Sequence, residues 1–312
     1  MARFTIVFIL LFAAYAAMPL LNAQDPKILE KAKQGDAEAQ FSLSQYYLSE
    51  YEKTLEEKNK IDEKKLVEST KWLLKAAQQG HAKAQYELAG YYLSGFGVPK
   101  NTTEAMNWYR KSAERGYSEA QRDLAHFYEQ GLYVKKNLNE AEKWWLKLAE
   151  KGDPADQNSL GVFYSMISEG KNTEKNMTEA VKWYRKAAEQ EDATAQSNLG
   201  ICYLYGQGVK MDDAEAVRLF QKSAAQGAAP GQCNLGLCYE KGWGVKKNYQ
   251  EAVKWYQKAA DQGDDQALNN LGFCYEMGYG VKKDRSKAIK LYRAAVEKKN
   301  KDAQKNLKRL GV

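Results

Sequence analysis

The sequence predicts an all-α protein, a right-handed α/α solenoid of helical hairpins. Three observations carry that expectation: one motif recurs with a period of 36 residues, its apolar positions are spaced at helical intervals, and glycines punctuate each unit. The composition agrees. With 44% hydrophobic and 28% charged residues the chain is too polar for a multi-span membrane protein. With 12% aromatic residues it is too aromatic for a disordered one.

The N-terminus reads Met1-Ala2-Arg3, then an uncharged run from Phe4 to Ala17 broken by Pro19, with Leu21-Asn22-Ala23 before Gln24. A basic start, an apolar core and a small-residue exit are the parts of a secretory signal peptide. Residues 1–23 are therefore expected to be removed after Ala23, leaving an exported chain, periplasmic or secreted. Net charge is +7 and unevenly spread: from Arg285 to Val312 ten Lys or Arg stand against Glu297 and Asp302. Such a patch can attract an anionic polymer, a membrane surface or an acidic protein; it is also what a solvated terminal helix looks like.

The repeating units start at Asp36, His81, Tyr117, Asp153, Asp192, Ala228 and Asp264, with a nine-residue insertion in the first and a three-residue insertion in the fourth. The eighth position is always Leu (Leu43, Leu88, Leu124, Leu160, Leu199, Leu235, Leu271) and the twelfth always Tyr. Ala195, Leu199 and Tyr203 recur at i, i+4 and i+8, one face of a helix. A Gly-x-Gly-Val loop follows, as in Gly206-Gln207-Gly208-Val209 and Gly242-Trp243-Gly244-Val245, where glycine ends the first helix. The second segment has Ala252, Trp255, Tyr256 and Ala260 at i, i+3, i+4 spacing, and usually closes on another glycine. Each hairpin is too small to bury its apolar face alone, so stacked neighbours must bury it. The units run 36–80, 81–116, 117–152, 153–191, 192–227, 228–263 and 264–299, between half-repeat caps at 24–35 and 300–312. The Lys/Glu-rich insertion from Ser49 to Lys65 shows no clear period and fits either longer helices or a loop.

The pattern Ala-x-x-x-Leu-Gly-x-x-Tyr, Gly-x-Gly-Val, Glu-Ala-x-x-Trp-Tyr-x-Lys-Ala-Ala resembles the Sel-one-like repeat, a tetratricopeptide-like α/α family. The last units carry it best, as in Leu235-Gly236-Leu237-Cys238-Tyr239 with Glu251-Ala252-Val253-Lys254-Trp255-Tyr256. Departures are local: the units at Asp36 and Asp153 lack the glycine loop, Tyr133 replaces a second glycine, and Leu219-Phe220 replaces Trp-Tyr. The resemblance implies a non-catalytic scaffold for contacts with another protein or peptide.

A helical projection places the third, sixth, tenth and thirteenth positions of each first helix away from its partner. The sixth supplies Asn158, Ser197 and Asn269; the tenth supplies Val162, Ile201, Leu237 and Phe273. In a curved array these would line a peptide groove, unless the neighbouring repeat buries them. The loops are basic at Lys135, Lys136, Lys246, Lys247, Lys282 and Lys283, an edge that could meet an anionic glycan or lipid or simply be solvated. Nucleic acid is not expected, since the aromatics recur at core spacings.

Cys202, Cys238 and Cys274 share the eleventh position, where earlier units carry Tyr or Phe. Equivalent sites on stacked helices lie roughly 10 Å apart, beyond the ~7 Å reach of a disulfide, so these and Cys233 are expected as free thiols. The resemblance includes a cysteine-rich secreted branch, but its cysteines pair at other positions. Some bacterial relatives in that branch are described as penicillin-binding or β-lactamase-like. The only Ser-x-x-Lys is Ser168-Glu169-Gly170-Lys171, without Ser-Asp-Asn or Lys-Thr-Gly, so that signature is incomplete. His81 and His126 have no zinc-ligand spacing, and no cofactor or metal is expected. Asn101-Thr102-Thr103 and Asn176-Met177-Thr178 are formal glycosylation sequons in which Thr103 and Thr178 are expected to cap helices starting at Glu104 and Glu179.

Overall fold

A computed structural model describes residues 26–58, 61–168 and 173–312. Within them the chain forms sixteen α-helices and no strand. The expected signal segment, 1–23, lies outside the described residues. Two compact units divide between Trp144 and Trp145.

Unit 1 contains α1 (Pro26–Lys33), α2 (Ala37–Lys58), α3 (Glu63–Gln78), α4 (Ala82–Ser94), α5 (Thr102–Glu114), α6 (Ser118–Gln130) and the start of α7 (Leu138–Ala149). Unit 2 continues with α8 (Pro154–Met166), α9 (Thr173–Glu189), α10 (Ala193–Tyr205), α11 (Asp213–Ala225), α12 (Ala229–Lys241), α13 (Tyr249–Asp261), α14 (Asp265–Met277), α15 (Arg285–Glu297) and α16 (Lys301–Leu310). Within each unit the two helices of a repeat pair as a hairpin, as α2 with α3, α4 with α5, α8 with α9 and α14 with α15, and first helices also pack on the second helix of the repeat before, as α4 on α3, α6 on α5, α10 on α9 and α14 on α13.

The core is built from the repeated positions. The eighth-position leucines are 0–3% exposed in all seven repeats. From the second helices Trp72, Trp108, Trp144 and Trp183 are buried, as are Tyr109, Tyr184, Tyr256 and Tyr292. The glycine after the leucine has a packing reason: a Cβ at Gly236 would sit 2.8 Å from the Tyr256 ring. Three twelfth-position tyrosines accept at their hydroxyls, Arg110 donating to Tyr128 (2.9 Å), Arg185 to Tyr203 (3.2 Å) and Lys287 to Tyr275 (2.7 Å).

Helix ends follow local chemistry. Asp192, Asp212, Asn248 and Asp264 each accept the backbone N–H three residues on, satisfying donors the first turn leaves open. The two sequons fold differently from the sequence expectation. Asn101, not Thr103, caps α5, accepting from Glu104 N at 3.1 Å. Asn176 and Thr178 lie inside α9, which starts at Thr173; Asn176 donates to the Ile167 carbonyl and Thr178 to that of Glu174. At the first sequon Asn101 wins because its side chain reaches the first turn of the helix it precedes.

The described parts of the insertion lengthen both helices of the first hairpin, up to Lys58 and from Glu63. α2 runs to Lys58, with Tyr51 buried, and Lys65 of α3 holds Glu50 at 3.2 Å while also donating to the Glu50 carbonyl and to Thr54.

Left-handed backbone recurs at fixed places. Gly244 has φ 64°, and a Cβ there would overlap the Asp213 carbonyl at the start of the preceding repeat's second helix. Among the described residues three that are not glycine adopt the same conformation: Tyr133 (φ 62°), Glu191 (φ 65°) and Lys299 (φ 69°). Glu191 and Lys299 stand where other repeats close with glycine. A side chain in that region costs about 1–2 kcal/mol, partly offset by the extra unfolded-state entropy of glycine. Glu191→Gly and Lys299→Gly should therefore each raise stability by up to about 1 kcal/mol. Gly244→Ala should lower it by more than that, because overlap adds to the backbone cost. Thermal and denaturant unfolding of the three variants checks both signs.

Candidate protein-binding face

In unit 2 the first helices are joined by a seam of short polar side chains. Asn198 of α10 donates to Asn158 Oδ1 of α8 at 3.0 Å. Asn234 of α12 donates to Ser197 Oγ of α10 at 3.1 Å, and Asn306 of α16 to Asn269 Oδ1 of α14 at 2.9 Å. Each bond runs from the seventh position of one repeat to the sixth of the repeat before. The step at Cys233 is broken, and Asn270 instead accepts from Gln266 and Asn269. In the second and third repeats the seventh position is acidic and accepts: Gln45 donates to Glu87 at 2.6 Å and Tyr86 to Asp123 at 3.1 Å.

This seam changes the reading of the groove residues. Ser197 is fully buried and Asn269 is 7% exposed; Asn158 is half-buried and engaged. All three serve helix-to-helix contact and do not form an open lining. The tenth position is mixed. Val162 is exposed, whereas Ile201, Leu237 and Phe273 are half-buried: Ile201 packs on the core around Leu235, and Leu237 on the one around Leu271. A flat helical projection could not show this, because the burying groups belong to the next repeat.

The more open apolar surface lies one turn further along the same helices. Met166 is 55% exposed, Tyr205 54% and Met277 44%, four residues after Val162, Ile201 and Phe273. Loop aromatics extend it: Trp243 packs edge-on to Tyr205 (centroids 6.4 Å apart) and Tyr279 to Phe273 (6.0 Å). The projection that selects the third, sixth, tenth and thirteenth positions passes over these fourteenth-position residues, although the i+4 step from the tenth reaches them.

The six edge lysines, Lys135, Lys136, Lys246, Lys247, Lys282 and Lys283, are all exposed. The stems of Lys136, Lys247 and Lys283 lie beside the helix-ending glycines Gly131, Gly242 and Gly278, so they also have a packing role.

The reactive side chains are otherwise occupied. Ser168 donates to the Ser165 carbonyl at 2.6 Å. The rest of its Ser-x-x-Lys, 169–171, lies outside the described residues. His126 is exposed, 3.7 Å from Glu129. All four cysteines are buried and unbridged. Burial pushes the thiols up, Cys202 to about 11 and Cys274 to about 12, so they are poor nucleophiles at neutral pH. Two buried carboxylates are tied down: Glu240 accepts from Tyr256 OH at 2.9 Å, and Glu276 from Tyr292 OH and both ends of the Arg309 guanidinium. Among the described residues no group of His, Cys, Asp and Glu is arranged to hold a metal ion.

Stacked helical hairpins with repeat-specific packing define an α/α repeat scaffold. The Sel1 repeat model matches seven times, over residues 37–81, 82–117, 118–153, 154–192, 193–227, 229–264 and 265–300, and the chain belongs to the Sel1 repeat family. A Sel1 repeat protein from Oxalobacter formigenes is 33% identical, with TM-score 0.63 over 74% of this chain and 92% of its own. A protective antigen of uropathogenic Escherichia coli strains displaying an SLR fold is 29% identical, with TM-score 0.63 over 93% of this chain and 67% of that one. No curated protein matches the sequence. Sel1 repeat proteins are generally non-catalytic scaffolds that bind other proteins.

The unit 1 seam has a pH signature. Burial pushes the Glu87 carboxyl from 4.5 to about 7, against the opposing effects of Lys83 and the Gln45 hydrogen bond. The folded state thus favours the protonated form. Its contribution to stability is fully present below pH 4.5 and is lost as pH rises through about 7. Glu87→Gln should flatten stability across that window and exceed the parent at pH 8 by about 1–3 kcal/mol. Unfolding midpoints measured from pH 4 to pH 8 check this.

Proposed function

We propose that the chain is an exported adaptor that binds a protein or peptide on the first-helix face of unit 2. The observation that carries this is the exposed apolar strip of Val162, Met166, Tyr205 and Met277 beside half-buried Ile201, Leu237 and Phe273. Exposed apolar side chains grouped on one face suit a partner offering apolar groups of its own. The polar seam ties α10 to α8 and α12 to α10, which keeps that part of the strip pre-organised and lowers the entropic cost of binding. Methionine adapts to irregular partner surfaces. Export rests on the apolar run and Ala23 exit of the N-terminus; N-terminal sequencing of chain recovered from outside the cytoplasm should begin at Gln24.

The test uses Met166→Ser, Tyr205→Ser and Met277→Ser together. Because these side chains are about half exposed, their replacement should leave folding stability within about 1 kcal/mol of the parent. Partner capture by photo-crosslinkers placed at the strip should be lost in this variant. Retention of the same partner at full affinity would sink the reading.

A second reading has its own observation. Lys290, Arg293, Lys298, Lys299, Lys301 and Lys308 are exposed at the C-terminal end, together with Lys282 and Lys283. An anionic glycan or lipid held there would dissociate on raising salt, since exposed charges are screened over roughly 8 Å at physiological ionic strength. Binding through the apolar strip would persist. Salt titration of the captured complex separates the two.

A further inference from the structure

The loops that end the first helices of the second and third repeats share one backbone plan. Gly95 donates to the Tyr91 carbonyl at 2.8 Å and Gly131 to that of Phe127 at 2.9 Å. The next residue bonds the same carbonyl in each, Phe96 at 3.1 Å and Leu132 at 3.0 Å. Both loops close alike, Asn101 donating to Tyr92 and Asn137 to Tyr128.

The side chains use this backbone differently. In the second repeat the ring that covers the eleventh position directly follows the glycine. Phe96 packs edge-on to Tyr91 with centroids 5.0 Å apart and is half-buried, and Gly97 then takes the left-handed φ of 68°. In the third repeat that ring comes one residue later. Tyr133 packs edge-on to Phe127 (5.1 Å) and must itself adopt φ 62°, which is unfavourable for any residue with a Cβ. The shift leaves Leu132 facing solvent: Leu132 is 51% exposed and Tyr133 55%.

Packing does not require this arrangement, since Phe96-Gly97 covers the eleventh position without the backbone cost. What the strained loop yields is two adjacent large apolar side chains at an exposed tip. Val134 behind them is half-buried, Lys135 and Lys136 follow and are exposed, and no acidic residue stands between Gly131 and Asn139. Lys100, the counterpart of Lys136 in the second repeat, is exposed as well.

The size and charge of the tip select its partner. A stable protein interface buries roughly 800 Å² on each side, far more than two side chains offer. A bilayer needs no matching pocket: leucine enters the hydrocarbon boundary, tyrosine sets its ring and hydroxyl at the interface, and lysines of one sign meet anionic headgroups. We propose that the Leu132-Tyr133 tip, with Lys135 and Lys136, docks on the surface of an anionic phospholipid bilayer. Among the described residues no helix is long and apolar enough to cross a membrane, so the contact is peripheral and reversible. It uses none of the residues of the strip proposed for protein binding.

The full chain is mixed with vesicles of phosphatidylcholine alone, or of phosphatidylcholine with an equal part of phosphatidylglycerol, and the bound fraction is read by flotation. Binding is expected to the anionic vesicles only. Leu132→Phe with Tyr133→Gly grafts the loop of the second repeat and changes no charge. Its thermal midpoint should equal or exceed the parent's, while vesicle binding should weaken by at least about tenfold. Lys135→Gln with Lys136→Gln should also weaken binding by at least about tenfold. Lys301→Gln with Lys308→Gln, at the basic C-terminal end, should change it by less than about threefold. The proposal is overturned if anionic vesicles do not retain the parent, which leaves the tip to a protein partner, or if the grafted loop keeps the parent's affinity. It is equally overturned if the C-terminal pair abolishes binding and the loop variants do not, the contact then being made by the charge of that end.

Discussion

Burial of the eighth-position leucine between two repeats is the contact on which the rest depends. No hairpin can bury that leucine alone, because its covering atoms come from its own second helix and from the repeat before it. Complete burial of each such side chain contributes about 1.5–3 kcal/mol of transfer free energy, and truncation would cost more through the cavity left behind. The glycine that follows the leucine admits the tyrosine or phenylalanine ring of the second helix, as Gly236 admits Tyr256. Stability is therefore a property of neighbouring pairs of repeats.

Polar side chains then decide how neighbours register. The seam from Asn198 to Asn158, from Asn234 to Ser197 and from Asn306 to Asn269 is buried or half-buried, and each bond crosses from one repeat to the next. Fifth-position glutamines also cross between repeats, Gln40 donating to the Ala32 carbonyl, Gln85 to that of Ala77 and Gln121 to that of Ala113. Hydrogen bonds of this sort add modest net energy, but leaving one unmade is expensive. Sliding one hairpin against the next would break several together, which selects one register.

Much of this was legible in the residues. The period, the helical spacing of Ala195, Leu199 and Tyr203, and the helix-ending glycines led to hairpins with correct core positions. Helix caps were less legible, because several residues near a helix start can serve; Asn101 took the role expected of Thr103, and Thr178 lies within α9. The candidate face was legible only in part. Val162 stayed open, but Ser197 and Asn269 turned inward to a neighbouring helix, and the open residues Met166, Tyr205 and Met277 lay one turn further on.

The sequence by itself determined the repeat, the pairing of helices within each hairpin and the identity of the buried leucines and aromatics. Those are local matters, set by a 36-residue period and by the 3.6-residue turn of the helix. Only the tertiary structure decided which polar residues were consumed between repeats and which apolar ones remained exposed. Those outcomes depend on side chains some 30 to 40 residues apart in the chain, as with Gln226 and Gln196 or Asn198 and Asn158. A helical projection contains no information about what a neighbouring helix brings to that surface.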